Sequence, residues 1–316
     1  MISGYHLAEL HGLPAFDFPW LGDEGPELPD PGAVAWRVDP LLDDEEREDE
    51  EWEAAFARFC ATVDTPRVRA LIAGNWRDAV DAGPDSVISA LLGARGRLPA
   101  LRALFIGDIF TRWLQACWQQ SDMTGLLAGF PQLEEFGVRG GEGLALPVKR
   151  HESLRSLTVQ SEGADSAVLR AIAASDWPVL EHLELWLGSP ESGANFQLAD
   201  LEPILSGARM PRLRHLALCN SVIQDDIAAA VAAAPVVARL EVLGLSMGTL
   251  GDTGAEALLG GRPLTHLTKL DLHHHYISEP AQQQLRQALE PAGVTLDLAD
   301  SVDWDDGERR NALYAY

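Results

Sequence analysis

The chain has 316 residues, 47% of them hydrophobic, and 48 acidic against 24 basic side chains give it a net charge of −24; this balance excludes nucleic acid as a partner, because phosphate contacts rely on clustered Lys and Arg. Three cysteines, Cys60, Cys117 and Cys219, lie far apart without a CxxC, which excludes a disulfide framework and a thiolate metal site and fits a reducing cytoplasm. The longest apolar run, Ile227 to Ala238, is broken by Pro235 and falls short of the about 20 residues that span a bilayer, so no membrane partner is expected.

The opening MISGYHLAELHGLP lacks the basic start and continuous apolar core of a signal peptide, so secretion is not expected. His6, Glu9 and His11 approach a zinc motif, but HxxExH is neither HExxH nor HxxEH, and the two histidines would not share a helical face. They read as cap residues. VAWRV from Val34 predicts a strand, and the acidic DDEEREDEEWEAAF leads into an amphipathic helix carrying Trp52, Phe56 and Phe59. Residues 1–66 hold 17 acids and 3 bases. They read as a cap fused to the first repeat, with the 43–51 acidic cluster a solvated helix face or collar.

From Val68 a strand signature, LxxLxL, recurs: VRALIA from Val68, LRALFI from Leu101, LEEFGV from Leu133, LRSLTV from Leu154, LEHLEL from Leu180, LRHLAL from Leu213, LEVLGL from Leu240 and LTKLDL from Leu267. Units of this length cannot bury their own apolar face and are stable only when stacked, so residues 67–290 predict a leucine-rich-repeat solenoid, with the cap integral to it. The expected fold is α/β, with a curved parallel β-sheet on the concave face and helices on the convex face. Positions one, four and six of each phrase point into the core, and positions three, five and seven face outward. Helices are expected at Ser86–Arg95 and Ser121–Gly129, after the capping candidates Asp165, Asp200, Asp225 and Asp252, and at Pro280–Leu289. Two stretches break the pattern: DIFTRWLQACWQQSD from Asp108, with Trp113 and Trp118, and the turn-rich GSPESGANFQ from Gly188. Both predict rim loops. Residues 291–316 contribute a last strand, VTLDL from Val294, and a tail.

The phrase LGLSMGTLGDTGAEALLGG, Leu243 to Gly261, resembles the ribonuclease-inhibitor-like class of leucine-rich repeats. HLAELHGLPAFDF from His6, EEWEAAFARF from Glu50, VRGGEGL from Val138, LEHLELWLG from Leu180, IQDDIAAAVA from Ile223 and LDLHHHYIS from Leu270 are similar to a bacterial family of cytoplasmic leucine-rich-repeat proteins. Members of that family are encoded beside radical-SAM and ATP-grasp type enzymes, which implies an accessory role in a modification pathway. The wider class places Asn or Cys at the ninth position, where here stand Ile109, Gly141, Glu162, Gly188, Ser221, Gly248 and His275. Loop amides are therefore expected to find backbone or water partners.

No catalytic constellation emerges. Gly244, Ser246 and Gly248 satisfy GxSxG, but they are in-frame repeat positions rather than a strand-to-helix elbow. The outward positions collect Phe105, Arg139, His182, Glu184, Trp186, His215, Lys269, Asp271 and His273, with Trp113 and Trp118 on a nearby rim. Register puts His182 beside His215, with Glu184 two residues along, a set able to hold a transition metal but equally a partner-contact or solvated one. His275 reads as structural. The expected function is a non-catalytic module that binds a protein through its concave face, without a cofactor, with Trp186 and Arg139 as anchors. Trp186 folding against the Gly188–Gln197 insertion is the competing reading. Alternative functions are an accessory or substrate-binding subunit for a neighbouring modification or biosynthetic enzyme, and a metal-dependent enzyme built on His182, Glu184 and His215.

Overall fold

A computed structural model describes residues 6–22, 27–40, 50–109, 118–302 and 310–312. The chain forms two compact units, Met1–Ser156 and Leu157–Tyr316. In the first, strands β1 (Glu9–Leu10), β2 (Leu13–Asp17), β3 (Ala35–Val38), β4 (Ala70–Ala73), β5 (Ala103–Ile106) and β6 (Glu135–Arg139) alternate from β3 onward with helices α1 (Trp52–Thr62), α2 (Asp85–Gly93) and α3 (Thr124–Gly129). The second carries β7 (Ser156–Gln160), α4 (Ser166–Ala174), β8 (His182–Gly188), α5 (Leu198–Ser206), β9 (His215–Ser221), α6 (Gln224–Ala233), β10 (Val242–Gly244), α7 (Asp252–Gly260), β11 (Lys269–Asp271), α8 (Glu279–Leu289) and β12 (Thr295–Asp297). This is a leucine-rich-repeat fold of the solenoid type, in which successive repeat strands pair in parallel.

The register explains why. Leu71 pairs with Leu104 and Leu104 with Phe136 in the first unit, while Leu183, Leu216, Leu243 and Leu270 pair successively in the second. All of these fourth-position side chains are fully buried. A one-residue slip would turn every one of them to the opposite face, so burial itself fixes the register. Helices close the other side: Val168, Leu169 and Ile172 of α4, Leu201 and Ile204 of α5, and Ile227 and Val231 of α6 are buried.

The cap holds two repeats that a leucine frame does not detect. β2 pairs Ala15, Phe16 and Asp17 with Ala35, Trp36 and Arg37 of β3, and β3 pairs Ala35 to Val38 with Ala70 to Ala73 of β4. LPAFDF from Leu13 is therefore a repeat phrase with Phe in place of Leu, and AVAWRV from Ala33 is another with Trp at its fourth position. Their large rings pack under α1: Phe59 lies 5.3 Å from Phe18 and 5.6 Å from Trp36, both edge-on, and Trp52 stacks on Phe56 at 4.9 Å. The indoles are satisfied by carbonyls, Trp36 donating to Pro31 and Trp52 to Val38.

The capping expectations hold only for Asp165, whose side chain accepts the Ala167 amide at α4. Asp200 lies inside α5 and bonds back to the Gln197 amide. Asp225 and Asp252 serve the following repeat: Asp225 accepts the Gly251 and Gly254 amides of α7 at 2.7 and 3.0 Å, and Asp252 accepts the amide and hydroxyl of Ser278 before α8. Helix starts in the second unit are thus tied repeat to repeat by charge-assisted bonds, which are stronger than neutral caps. The 188–197 insertion is part of this scheme, since Asn195 accepts the Ser166 amide at the start of α4.

Loop amides also have side-chain partners, contrary to expectation. Gln224 donates to Leu218 O and accepts from Ser221 N, Gln282 donates to Ile277 O, and buried His275 accepts from Ile277 N. In the first unit Gln120 donates to Arg139 O. A long amide takes the place of the missing ninth-position Asn, drawn from the following helix in the second unit and from the preceding segment for Gln120.

Leu243→Ala removes a fully buried side chain between two equally buried neighbours. It should cost about 2 to 5 kcal/mol in urea denaturation, and a loss below about 0.5 kcal/mol would place Leu243 outside the core.

Candidate interaction face

In the second unit the outward row is polar and partly open. His182 of β8 lies directly across from His215 of β9, with ring centroids 3.9 Å apart and planes tilted by 46°. Two imidazoles this close resist simultaneous protonation. Burial, then the neighbouring His182, pushes His215 down to about 4, so it stays neutral at physiological pH. Next along β8, Glu184 accepts from Trp186 Nε1 at 2.8 Å and Gln160 Nε2 at 3.3 Å, with His182 Nε2 3.8 Å away. Burial pushes that carboxyl up, but these partners together hold it below its usual value.

Three strands on, Lys269 Nζ of β11 sits 2.8 Å from Asp271 and 3.3 Å from Asp297 of β12, and His273 Nδ1 lies 2.6 Å from Asp271. Burial opposes ionisation of Asp271, yet the bonds from His273 and Lys269 outweigh it and leave the carboxyl strongly depressed. Between these two polar groups the fifth-position side chains shrink to Ala217 and Gly244, leaving Cys219 and Ser246 below as a floor. Cys219 is pushed up to about 12, first by burial and then by Glu184, and its Sγ lies 3.4 Å from Ser246 Oγ. A thiol held this high is not an activated nucleophile. The positive φ in this GLSMG stretch belongs to Met247, not Ser246, unlike a nucleophile elbow.

Metal ligation does not fall where the sequence suggested. Among the described residues, the group bringing three ligand atoms within 4.8 Å of one another is Asp271, His273 and Asp297, not His182, Glu184 and His215. The Lys269 ammonium bridges both carboxylates of that group, so its negative charge already has a cation from the chain itself.

Several expected surface residues are interior. Trp186 is only 3% exposed and acts as a donor that fixes Glu184. Phe105, in the first unit, is covered by Leu10 and lies over Gly137, where a Cβ would stand 2.2 Å from its ring. Arg139 is buried, its guanidinium 5.7 Å from the Phe105 centroid and 3.3 Å from Asp108. Trp118 is buried too. Trp113 and residues 41–49 of the acidic cluster lie outside the described residues. His6 and His11 meet different carboxylates, Asp108 and Glu135, rather than a shared metal.

The most charged interior site carries no sequence motif. Asp108, 0% exposed, accepts from Arg37 Nε at 2.8 Å, from Arg139, and from the Leu7 amide on both its oxygens at 3.1 Å. Burial would push its carboxyl up, but His6, Arg139 and Arg37 hold it below its usual value. Nearby Asp39 is pushed up to about 6 by burial.

No family model matches the sequence, and no curated protein does. A Bacteroides fragilis protein solved as a structural-genomics target is similar in fold: the match covers 89% of this chain and 78% of that one at 22% identity, with a TM-score of 0.80. An internalin from Listeria monocytogenes covers 75% and 73% at 17% identity, with a TM-score of 0.29 that carries no weight. Among the described residues no helix is long and apolar enough to cross a membrane.

Two measurements test these electrostatics. Because His215 is lowered in the folded chain, the unfolded state binds a proton between about pH 6.5 and 4 that the folded state refuses, so His215 should make stability fall as pH drops through that window. NMR titration should place its midpoint near 4, and His182→Ala should return it only part of the way, since burial is the larger cause. Separately, Asp108→Asn removes the buried anion that the Arg37 and Arg139 guanidiniums share, although Arg37 keeps Asp17, and should cost about 3 to 5 kcal/mol by urea denaturation; a loss under about 1 kcal/mol would mean that the guanidiniums are otherwise compensated.

Proposed function

We propose that the chain is a non-catalytic protein-interaction module that engages its partner through the outward row of the second unit, centred on His182, Glu184, His215, Lys269, Asp271 and His273. The observation that carries this reading is that the row is partly exposed yet already cross-braced: Glu184 is held by Trp186 and Gln160, and Asp271 by Lys269 and His273. Side chains fixed before binding lose little freedom when a partner arrives, which favours affinity per contact. Alternating donors and acceptors above the small Ala217 and Gly244 suit a protein surface with a protruding polar side chain.

In this reading Trp186 supports the face from beneath instead of anchoring the partner directly, while Arg139, Phe105 and Trp118 give rigidity to the first unit. Trp113 remains a proposed rim contact. The ribonuclease-inhibitor-like repeat type, a place among bacterial cytoplasmic leucine-rich-repeat proteins, and a cap at residues 1–66 integral to repeats 67–290 belong to the same proposal. The strand-Gly-Asp-helix phrase at Leu243–Gly261 and the fold likeness to the Bacteroides protein support it.

The test is quantitative co-purification from the native cell with Lys269→Glu and, as a control on a helix, Arg170→Ala. Lys269→Glu should lower recovery of the partner by about tenfold or more while near-UV circular dichroism shows the chain still folded, and Arg170→Ala should leave recovery intact. Equal recovery in both variants would place the partner elsewhere. A modification enzyme recovered in fixed ratio would identify the accessory-subunit role.

A further inference from the structure

The outward positions of the first unit have the opposite chemistry. Ala35, Ala70, Ile72, Ala103 and Phe105 line β3 to β5, and each is at most 3% exposed, although they stand on the same side of their strands as the open polar row of the second unit. What covers them is β1. Leu10 inserts among them at 4% exposure, with Leu7, Leu13 and Ala15 packed alongside.

The covering arm is residues 6–11. It turns back from β2 through His11 and Gly12, whose φ values of 57° and 66° are the positive angles that a two-residue hairpin turn demands. Two register pairs, Glu9 with Pro14 and Leu10 with Leu13, and a bond from Ala15 N to Ala8 O join it to β2. Side chains of the repeats supply much of the rest of its anchorage. Asp108 takes the Leu7 amide, Arg37 donates to Leu7 O, His6 Nδ1 lies 3.0 Å from Asp108 O, and His11 Nδ1 lies 3.3 Å from Glu135. The chain bends at Ala8, so Leu7 and Leu10 lie on the same sheet face although an extended strand would send them to opposite sides; with one backbone unit fixed between a carboxylate and a guanidinium, this is a groove that holds a short bent peptide. So short a strand, with few ladder bonds, also belongs to the part of a structure that opens locally at low cost.

We propose that the outward face of β3 to β5 is a peptide-binding groove and that residues 6–11 are its built-in occupant. The external ligand is a short bent segment of matching chemistry, with two leucine-like side chains three residues apart on one side and a backbone available to Asp108 and Arg37. When it binds, the arm swings out about the His11–Gly12 turn while β2 keeps its place beside β3. This surface is separate from the polar row of the second unit and does not depend on the function proposed for that row.

The full chain tests it in two ways. Leu10→Asp places a charge in the apolar groove and should expel the arm. A fluorescent peptide with the sequence of residues 6–11 should then bind this variant at least about tenfold more tightly than the unsubstituted chain, where the arm competes. The same peptide with its second leucine replaced by Asp should not bind. Equal binding to both chains, or none to a Leu10→Asp variant with unchanged near-UV circular dichroism, overturns the proposal. Should the variant fail to fold, hydrogen exchange on the unsubstituted chain decides. The Leu7 amide, protected only while the arm is docked, should exchange at least about tenfold faster than the amides of Leu71 and Leu104, through local opening. Exchange of all three at one common rate would show that the arm opens only with global unfolding and would overturn the proposal.

Discussion

The structure depends on one constraint: every strand must present its fourth residue to the same buried layer as its neighbour's fourth residue. Leu71, Leu104 and Phe136 in one unit, and Leu183, Leu216, Leu243 and Leu270 in the other, satisfy it without solvent contact. Because side chains alternate with a period of two, this single requirement also determines which residues form the outward row. His182 meets His215, and Lys269 meets both Asp271 and Asp297, as consequences of where the leucines go.

The same geometry yields two faces of different kind. In the first unit the outward side chains of β3 to β5 are small or apolar apart from Arg37, and they are covered by a short arm held to a buried carboxylate. In the second they are ionisable and stay partly open. A buried charge such as Asp108 is tolerated because two guanidiniums, an imidazole and a backbone amide meet it at once; with fewer partners its desolvation would not be recovered. That network holds the arm.

Repeats in the second unit communicate through their polar ends as well as their cores. Asp225 caps α7 and Asp252 reaches Ser278 at α8, so each acidic side chain stabilises a helix one repeat further on. Long amides, Gln224 and Gln282, close the loops where other leucine-rich repeats place a ninth-position Asn. The Asp bonds join residues 26 to 29 apart in sequence and make the stack cooperative beyond its apolar contacts, whereas the Gln bonds close loops within one repeat.

The sequence by itself determined the strand frame, the buried positions from Val68 to Leu272, and the pairing of His182 with His215, because a leucine period read along the chain is also a period read across the sheet. It did not reveal LPAFDF and AVAWRV as repeats, since Phe and Trp stand where the frame expects Leu. It also placed Phe105 and Arg139 on an open surface and left Trp186 open between surface anchor and local core. Pattern fixes the direction in which a side chain leaves the backbone, whereas exposure depends on whatever remote segment lies over it. Leu10, ninety-five residues before Phe105, packs in the same buried cluster as that ring, and the Arg139 guanidinium lies over it; only the tertiary structure decides such contacts.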